Sequence, residues 1–169
     1  MTTFPLRRLR LRPGEEHRDA VVVQLEPFLL GGQRYLPVPD SPEAELAVNR
    51  ATSGDVFRLR VATRMHGPCV RCLEDAVLEV AVDTQEYNAS DGASGTELRS
   101  EYVVDDQLLL SNWARDAIAL KLPEQILCRA DCAGLCHVCG KDLNHEPHTH
   151  EDEVVDSRWA ALEVLKDEL

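Results

Sequence analysis

Six cysteines and two histidines set the chemistry open to this chain. They fall as Cys69-x2-Cys72, then Cys128-x3-Cys132-x3-Cys136-x2-Cys139 within "CRADCAGLCHVCG", then His148-x-His150. A CxxC turn brings two sulfurs to the same side of the backbone, where both thiolates point at one ion. Gly140, directly after "CHVC", suits a knuckle in which a residue of positive φ turns the chain while backbone N–H groups donate to sulfur. Short thiolate pairs with histidines downstream favour tetrahedral zinc. Eight donors suffice for two closed four-coordinate sites. The preferred partition puts Cys69, Cys72, Cys128 and Cys132 around one Zn2+, and Cys136, Cys139, His148 and His150 around the other. His145 is a substitute donor, and His17, His66 and His137 read as ordinary surface or loop histidines.

The alternative uses of these cysteines fit less well. The opening "MTTFPLRRLRLRPGEEHRDA" has no apolar stretch of the roughly 7 to 15 residues that a secretory signal needs. No run approaches the ~20 apolar residues that span a bilayer. The chain therefore reads as cytosolic, where thiols stay reduced and three disulfides are not expected. Cys132, Cys136 and Cys139 match CxxxCxxC, the spacing of radical enzymes that hold an iron-sulfur cluster, but those enzymes need a large barrel after the motif. A thioredoxin-like use of Cys69 and Cys72 needs a helix N-terminus inside a βαβ unit, whereas this CxxC sits between two strand-like runs. Sites filled by four protein donors leave no position for water or substrate, so the metal's expected contribution is structural. There is no phosphate-cradling glycine loop, nucleophile elbow or HExxH.

A mostly β scaffold carries these donors. "AVVVQLEPFLL" (20–30) suggests a short β segment, and "GGQRYLPVPDSP" (31–42) a turn and extended loop. "AELAVNRA", "DVFRLRVATRMH" and "AVLEVAVDTQEY" form three β-like runs between 44 and 87. In the second, Phe57, Leu59, Val61, Thr63 and Met65 share one face and Arg58, Arg60, Arg64 and His66 the other. In the third, Leu78, Val80 and Val82 point inward and Glu79 and Asp83 outward, so an antiparallel hairpin with the first CxxC at its tip is expected. "NASDGASGTELRS" (88–100) reads as a loop or linker. "DQLLLSNWARDAIALKLP" places Leu110, Trp113, Ala114, Ala117, Ile118 and Leu120 on one helical stripe that ends at Pro123 and covers the sheet. "DSRWAALEVLKDEL" is expected to close the chain as a short helix capped by Asp156 or Ser157. The fold class is α+β: an antiparallel β-sheet or partial barrel, a covering helix, and a zinc-bound C-terminal segment. A β-rich core over 1–121 and a zinc-knuckle segment over 122–169 are the expected units.

Charge is unevenly spread over the 169 residues. Residues 1–72 carry 11 Lys+Arg against 8 Asp+Glu (net +3), and residues 73–169 carry 7 against 22 (net −15). The asymmetry reads first as solvated faces that keep the chain soluble; the sharper reading is a two-partner surface, with phosphates near the arginines of the first half and a basic protein near the carboxylates of the second. Arg58, Arg60 and Arg64 face Glu79, Asp83 and Asp75 across the hairpin and read as ion-paired. Arg7, Arg8, Arg10 and Arg12 in "LRRLRLR" have fewer acidic neighbours and are the better candidates for RNA contact.

"GPCVRCLE" (67–74), followed by "LPEQILCRADCAGLCHVCGKDLN" (122–144) and "HTHEDEVVDSRWAAL" (148–162), resembles the YceD-type large ribosomal RNA subunit accumulation proteins over about residues 54 to 165. The resemblance implies a part in accumulation of 23S ribosomal RNA, and hence in large-subunit biogenesis, with no established enzymatic activity. A CxC pair of some relatives appears here as His148-Thr-His150, and the usual "DPR" as Asp156-Ser157-Arg158. Some branches keep the central CxxC without the later knuckle, which implies that the second metal site is not essential to the shared role. The leading expectation is thus a non-catalytic, zinc-stabilised cytoplasmic factor whose partner is precursor ribosomal RNA or a basic large-subunit ribosomal protein, with neither membrane nor small-molecule substrate. A zinc-ribbon interaction module in transcription or another assembly, and a CxxC thiol oxidoreductase, are the alternatives.

Overall fold

The structure is a computed structural model that describes residues 1–90 and 98–150. The expected closing helix and most of the expected 88–100 loop lie outside the described residues.

Two long strands organise the molecule. β1 (Phe4–Pro5) is followed by a 3-10 turn at Leu6–Arg8, then β2 (Glu16–Val22), β3 (Phe28–Leu30), β4 (Gln33–Val38), β5 (Glu43–Arg50), β6 (Gly54–Pro68), β7 (Asp75–Ala89), β8 (Val103–Val104), β9 (Gln107–Leu108) and α1 (Leu110–Lys121). Every pairing is antiparallel. β7 runs along the whole of β6, from Gly54 opposite Ala89 to Pro68 opposite Asp75. The remaining edge of β6 is shared: β5 pairs with Asp55–Val61 and β4 with Arg64–His66. With β2 outside β5 and β3 outside β4, the described strands form an open six-stranded sheet. β1, β9 and β8 make a separate small sheet.

The alternation read from the sequence is the alternation of burial. Phe57, Leu59, Val61, Thr63 and Met65 are all buried on β6, as are Val80 and Val82 on β7. The opposite face carries the arginines. Arg58 donates to both carboxylate oxygens of Asp83 at 2.7 Å. Arg60 reaches Asp83 at 3.1 Å and Glu45 of β5 at 3.3 Å. Hydrogen bonding from Arg58 leads, against slight burial, in holding the Asp83 carboxyl down at about 2, with Arg60 adding to it. Arg58 and Arg60 are thus neutralised within the sheet, as the ion-paired reading expects, whereas no ion pair joins Arg64 to Glu79 or Asp75 among the described residues.

α1 packs against β7 and buries Leu110, Trp113, Ala114 and Ile118, an i, i+3, i+4, i+8 set on one face. Leu120 departs from the expected stripe, being 90% exposed. Leu120 is about 200° around the helix from Ile118 but close in angle to Trp113, so it stands at the border of the buried stripe, where its side chain is left to solvent. Leu122 is extended because it precedes Pro123, and the helix stops there. The run before Leu110 contributes β9 rather than helix.

The 20–30 run is two strands interrupted at 23–27, and 33–38 is a strand where a loop was expected. Its sequence hid this because Pro37 cannot donate to a ladder. At residues 36–38, however, β4 pairs with β6 alone, and an edge of that kind accommodates proline. The strand matters to the metal centre, because it carries Tyr35.

Candidate metal centre

The tip of the β6–β7 hairpin is Cys69-Val70-Arg71-Cys72. Its position is set from below by a close fit. Gly67 lies against the buried Tyr35 ring, and a Cβ at residue 67 would sit 2.3 Å from the ring's Cδ1. The Tyr35 hydroxyl donates to Pro68 O at 2.9 Å. Only glycine admits that approach. Neither residue stood out in the sequence, where the signal was the bare "GPC" ahead of the CxxC.

The tip closes as a knuckle. Leu73 N donates to Cys69 O at 3.0 Å, and Leu73 has φ of 65°. The same turn recurs at the second CxxC, where Gly140 N donates to Cys136 O at 2.8 Å with φ of 72°. The positive φ was legible at Gly140 and invisible at Leu73, a residue type that seldom adopts it. In both turns the first sulfur collects backbone donors. Burial pushes the Cys69 thiol up, but N–H groups of Cys72, Cys128 and Arg71 outweigh it and bring it down to about 6. N–H groups of Cys139 and Val138 act on Cys136, against burial, with the same result of about 6.

The segment after α1 brings two more sulfurs to the hairpin tip. Val70 N donates to the O of buried Ile126 at 3.0 Å, which seats that segment. Cys69 Sγ then lies 3.8 Å from Cys132 Sγ, and Cys72 Sγ 3.5 Å from Cys128 Sγ. All four sulfurs lie within 4.8 Å of one another. A tetrahedron with Zn–S near 2.3 Å has edges of roughly 3.8 Å, so the donor set fits zinc. Burial pushes the Cys72 thiol up to about 12 and raises Cys128 as well. Cys69, Cys72 and Cys132 are buried and Cys128 is the most open of the four.

The second group gathers Cys136, Cys139, His148 and His150, again within 4.8 Å. It stands on a small hairpin held by Leu135 bridging Asp142 and by Cys136 N donating to Lys141 O at 2.8 Å. His148 Nδ1 is 2.7 Å from Glu146 O, which makes it the protonated nitrogen and leaves the Nε2 lone pair facing Cys139 Sγ at 3.1 Å. A carbonyl behind the ring is the usual support for a metal-binding imidazole. The sulfur–nitrogen spacing is somewhat inside the roughly 3.6 Å edge expected around zinc. The His148 and His150 rings meet edge to face at 4.9 Å. His145 is not in this group; it turns to Asp142 at 3.7 Å, with Glu74 beside them.

The candidate RNA contacts divide. Arg7 donates to Asp106 at 2.7 Å and is thereby engaged within the protein. Arg8, Arg10 and Arg12 are exposed, and no partner of their guanidinium groups is found among the described residues, Arg12 meeting Glu15 through its backbone N–H alone.

A family profile described as "Large ribosomal RNA subunit accumulation protein YceD" matches residues 57–166, which include all eight donors. The chain belongs to the YceD family. Among similar proteins are an uncharacterized protein of Mycobacterium tuberculosis and another of Mycobacterium bovis. Each is 36% identical over 124 residues, covering 71% of this chain and 59% of the relative. An uncharacterized protein of Mycobacterium leprae is 36% identical over 99 residues, 56% of this chain and 45% of that one. This YceD-family chain thus spans about half to three fifths of the length of these relatives. No solved structure matches it.

Proposed function

We propose that this chain is a non-catalytic cytoplasmic factor that supports accumulation of the large ribosomal RNA subunit and is held in shape by one or two structural Zn2+ ions. The observation that carries the reading is that the segment matched to the YceD family contains both donor groups, each complete with four protein donors. Complete sets leave no open coordination position for substrate or water, so they favour structure over turnover. A thiol oxidoreductase would need Cys69 or Cys72 to reach a substrate, and both are buried within the group of four sulfurs.

A basic large-subunit ribosomal protein is the partner that the charges support best. Arg58 and Arg60 are already neutralised by Asp83 and Glu45, and Arg7 by Asp106, while net charge beyond residue 72 is strongly negative. Arg8, Arg10 and Arg12 supply the one specific observation in favour of precursor RNA.

Elemental analysis of freshly isolated protein should find zinc, and a deletion strain should show a deficit of large subunits relative to small ones. Normal subunit ratios would instead favour a zinc-ribbon module of another assembly. If RNA is the partner, binding should weaken steeply with salt and Arg8→Glu, Arg10→Glu and Arg12→Glu should reduce that slope; flat salt dependence with capture of a basic ribosomal protein leaves the protein route.

A further inference from the structure

We infer that the two donor groups act as one coupled unit, and that Asn144 is the positioning residue through which the exposed group tightens metal binding at the buried one. This rests on the proposed function in its form with two Zn2+ ions, one in each group.

Asn144 stands inside the loop that the exposed group closes, between Cys139 and His148, yet its amide acts on the buried group. Nδ2 lies 3.5 Å from Cys132 Sγ and donates to Asp142 Oδ1 at 2.6 Å. Oδ1 accepts from Ala133 N at 2.8 Å and from Arg129 Nη2 at 2.7 Å, which fixes the amide so that its donor side faces the sulfur. A second link runs the other way. Leu135 N, next to Cys136, donates to Arg71 O at 3.1 Å, inside the first knuckle, and Arg71 Nη1 donates to Cys132 O at 3.0 Å. Gly134, with φ of 77°, permits this seating, since a Cβ there would be 3.2 Å from Arg71 O.

These contacts make the state of one group depend on the other. The 133–150 segment buries only Gly134 and Cys136 fully, so apolar packing does little to order it. Closing it with a metal between Cys136, Cys139, His148 and His150 holds Asn144 in place, and an N–H donor stabilises thiolate charge on Cys132. Filling the buried group in turn fixes Arg71 and Cys132, the anchors of the second hairpin. Coupling of this kind is reciprocal by linkage.

The test uses Co2+ with the full chain, because its spectrum separates a four-sulfur set from one of two sulfurs and two nitrogens. The double variant His148→Ala/His150→Ala removes donors from the exposed group alone and is expected to weaken the buried group about tenfold against a competing chelator, the size typical of lost outer contacts. Asn144→Asp keeps the two oxygen contacts, loses the donor to sulfur and to Asp142, and sets its carboxylate beside that of Asp142. It should cause a similar loss and move the sulfur-to-cobalt charge-transfer band to lower energy, which a purely structural role for the Asn144 oxygen would not do. Asn144→Ala serves as the uncharged check, and the circular dichroism of the sheet reports folding. Unchanged affinity of the buried group in these variants would overturn the coupling while leaving the metal reading intact. Failure of one group to take up metal in the unaltered chain would overturn the coupling alone, and failure of both groups would overturn the metal reading with it.

Discussion

Cys69 and Cys132 stand 63 positions apart in the chain, and their sulfurs are 3.8 Å from each other at the end of the β6–β7 hairpin. A long excursion of chain, including α1, is closed by that contact and by the matching pair Cys72 and Cys128.

Metal removal should therefore cost stability as well as local order. Treated as a cross-link closing a loop of this length, the buried group contributes about 4 kcal/mol in the chain-entropy picture. Chelation should lower the urea midpoint accordingly, and Cys132→Ser should abolish most of the difference between chelated and loaded protein. An identical midpoint with and without chelator would sink this expectation.

Gly67→Ala should destabilise by about 1 to 3 kcal/mol, because the added methyl meets a ring that is buried and tethered to Pro68. Tyr35→Phe should cost about 1 kcal/mol through the lost hydroxyl alone. Urea melts of the two variants decide it, with Gly67→Ala the worse.

Equivalent positions in the two knuckles should respond with opposite sign. Leu73 is exposed and left-handed, so Leu73→Gly should gain up to about 1 kcal/mol by relieving backbone strain. Gly140→Ala has open space around it and should lose about 1 kcal/mol for backbone reasons only. Thermal melts of loaded protein that shift the same way for both would contradict the shared geometry.

Metal uptake should release protons in a pattern set by the thiols. Zinc binds thiolate, so any thiol whose pKa exceeds the pH must give up its proton. At neutral pH Cys72, raised to about 12 by burial, and Cys128, also raised, must each lose one, whereas Cys69 at about 6 is already mostly ionised. Affinity should therefore rise with pH through the neutral range and fall more steeply below about pH 6, where Cys69 also holds its proton. Calorimetry in buffers of different ionisation enthalpy counts the protons, and a count of zero at neutral pH is the contrary result.

Much of this was legible in one dimension because it is coded by period and spacing. Alternation along 57–65 and 76–82 specified two strands and their buried faces, for neighbours on a strand must point oppositely. The CxxC pairs and Gly140 marked donors and a turn. Leu120 was misplaced because its spacing borders two faces of a helix, and the strand at 33–38 was masked by a proline whose cost depends on which edge is paired.

Residue types and their spacing suffice to name the eight side chains that can serve as donors, the strands that alternate, and the point where α1 must stop. It takes the folded chain to say which sulfurs converge, that Tyr35 and Gly67 seat the hairpin tip, and that Asn144 of one group touches Cys132 of the other. The reason is physical: donor identity and period belong to a residue and its near neighbours. Convergence depends on strand register and on how a segment some 60 residues away docks against it, which no local pattern records.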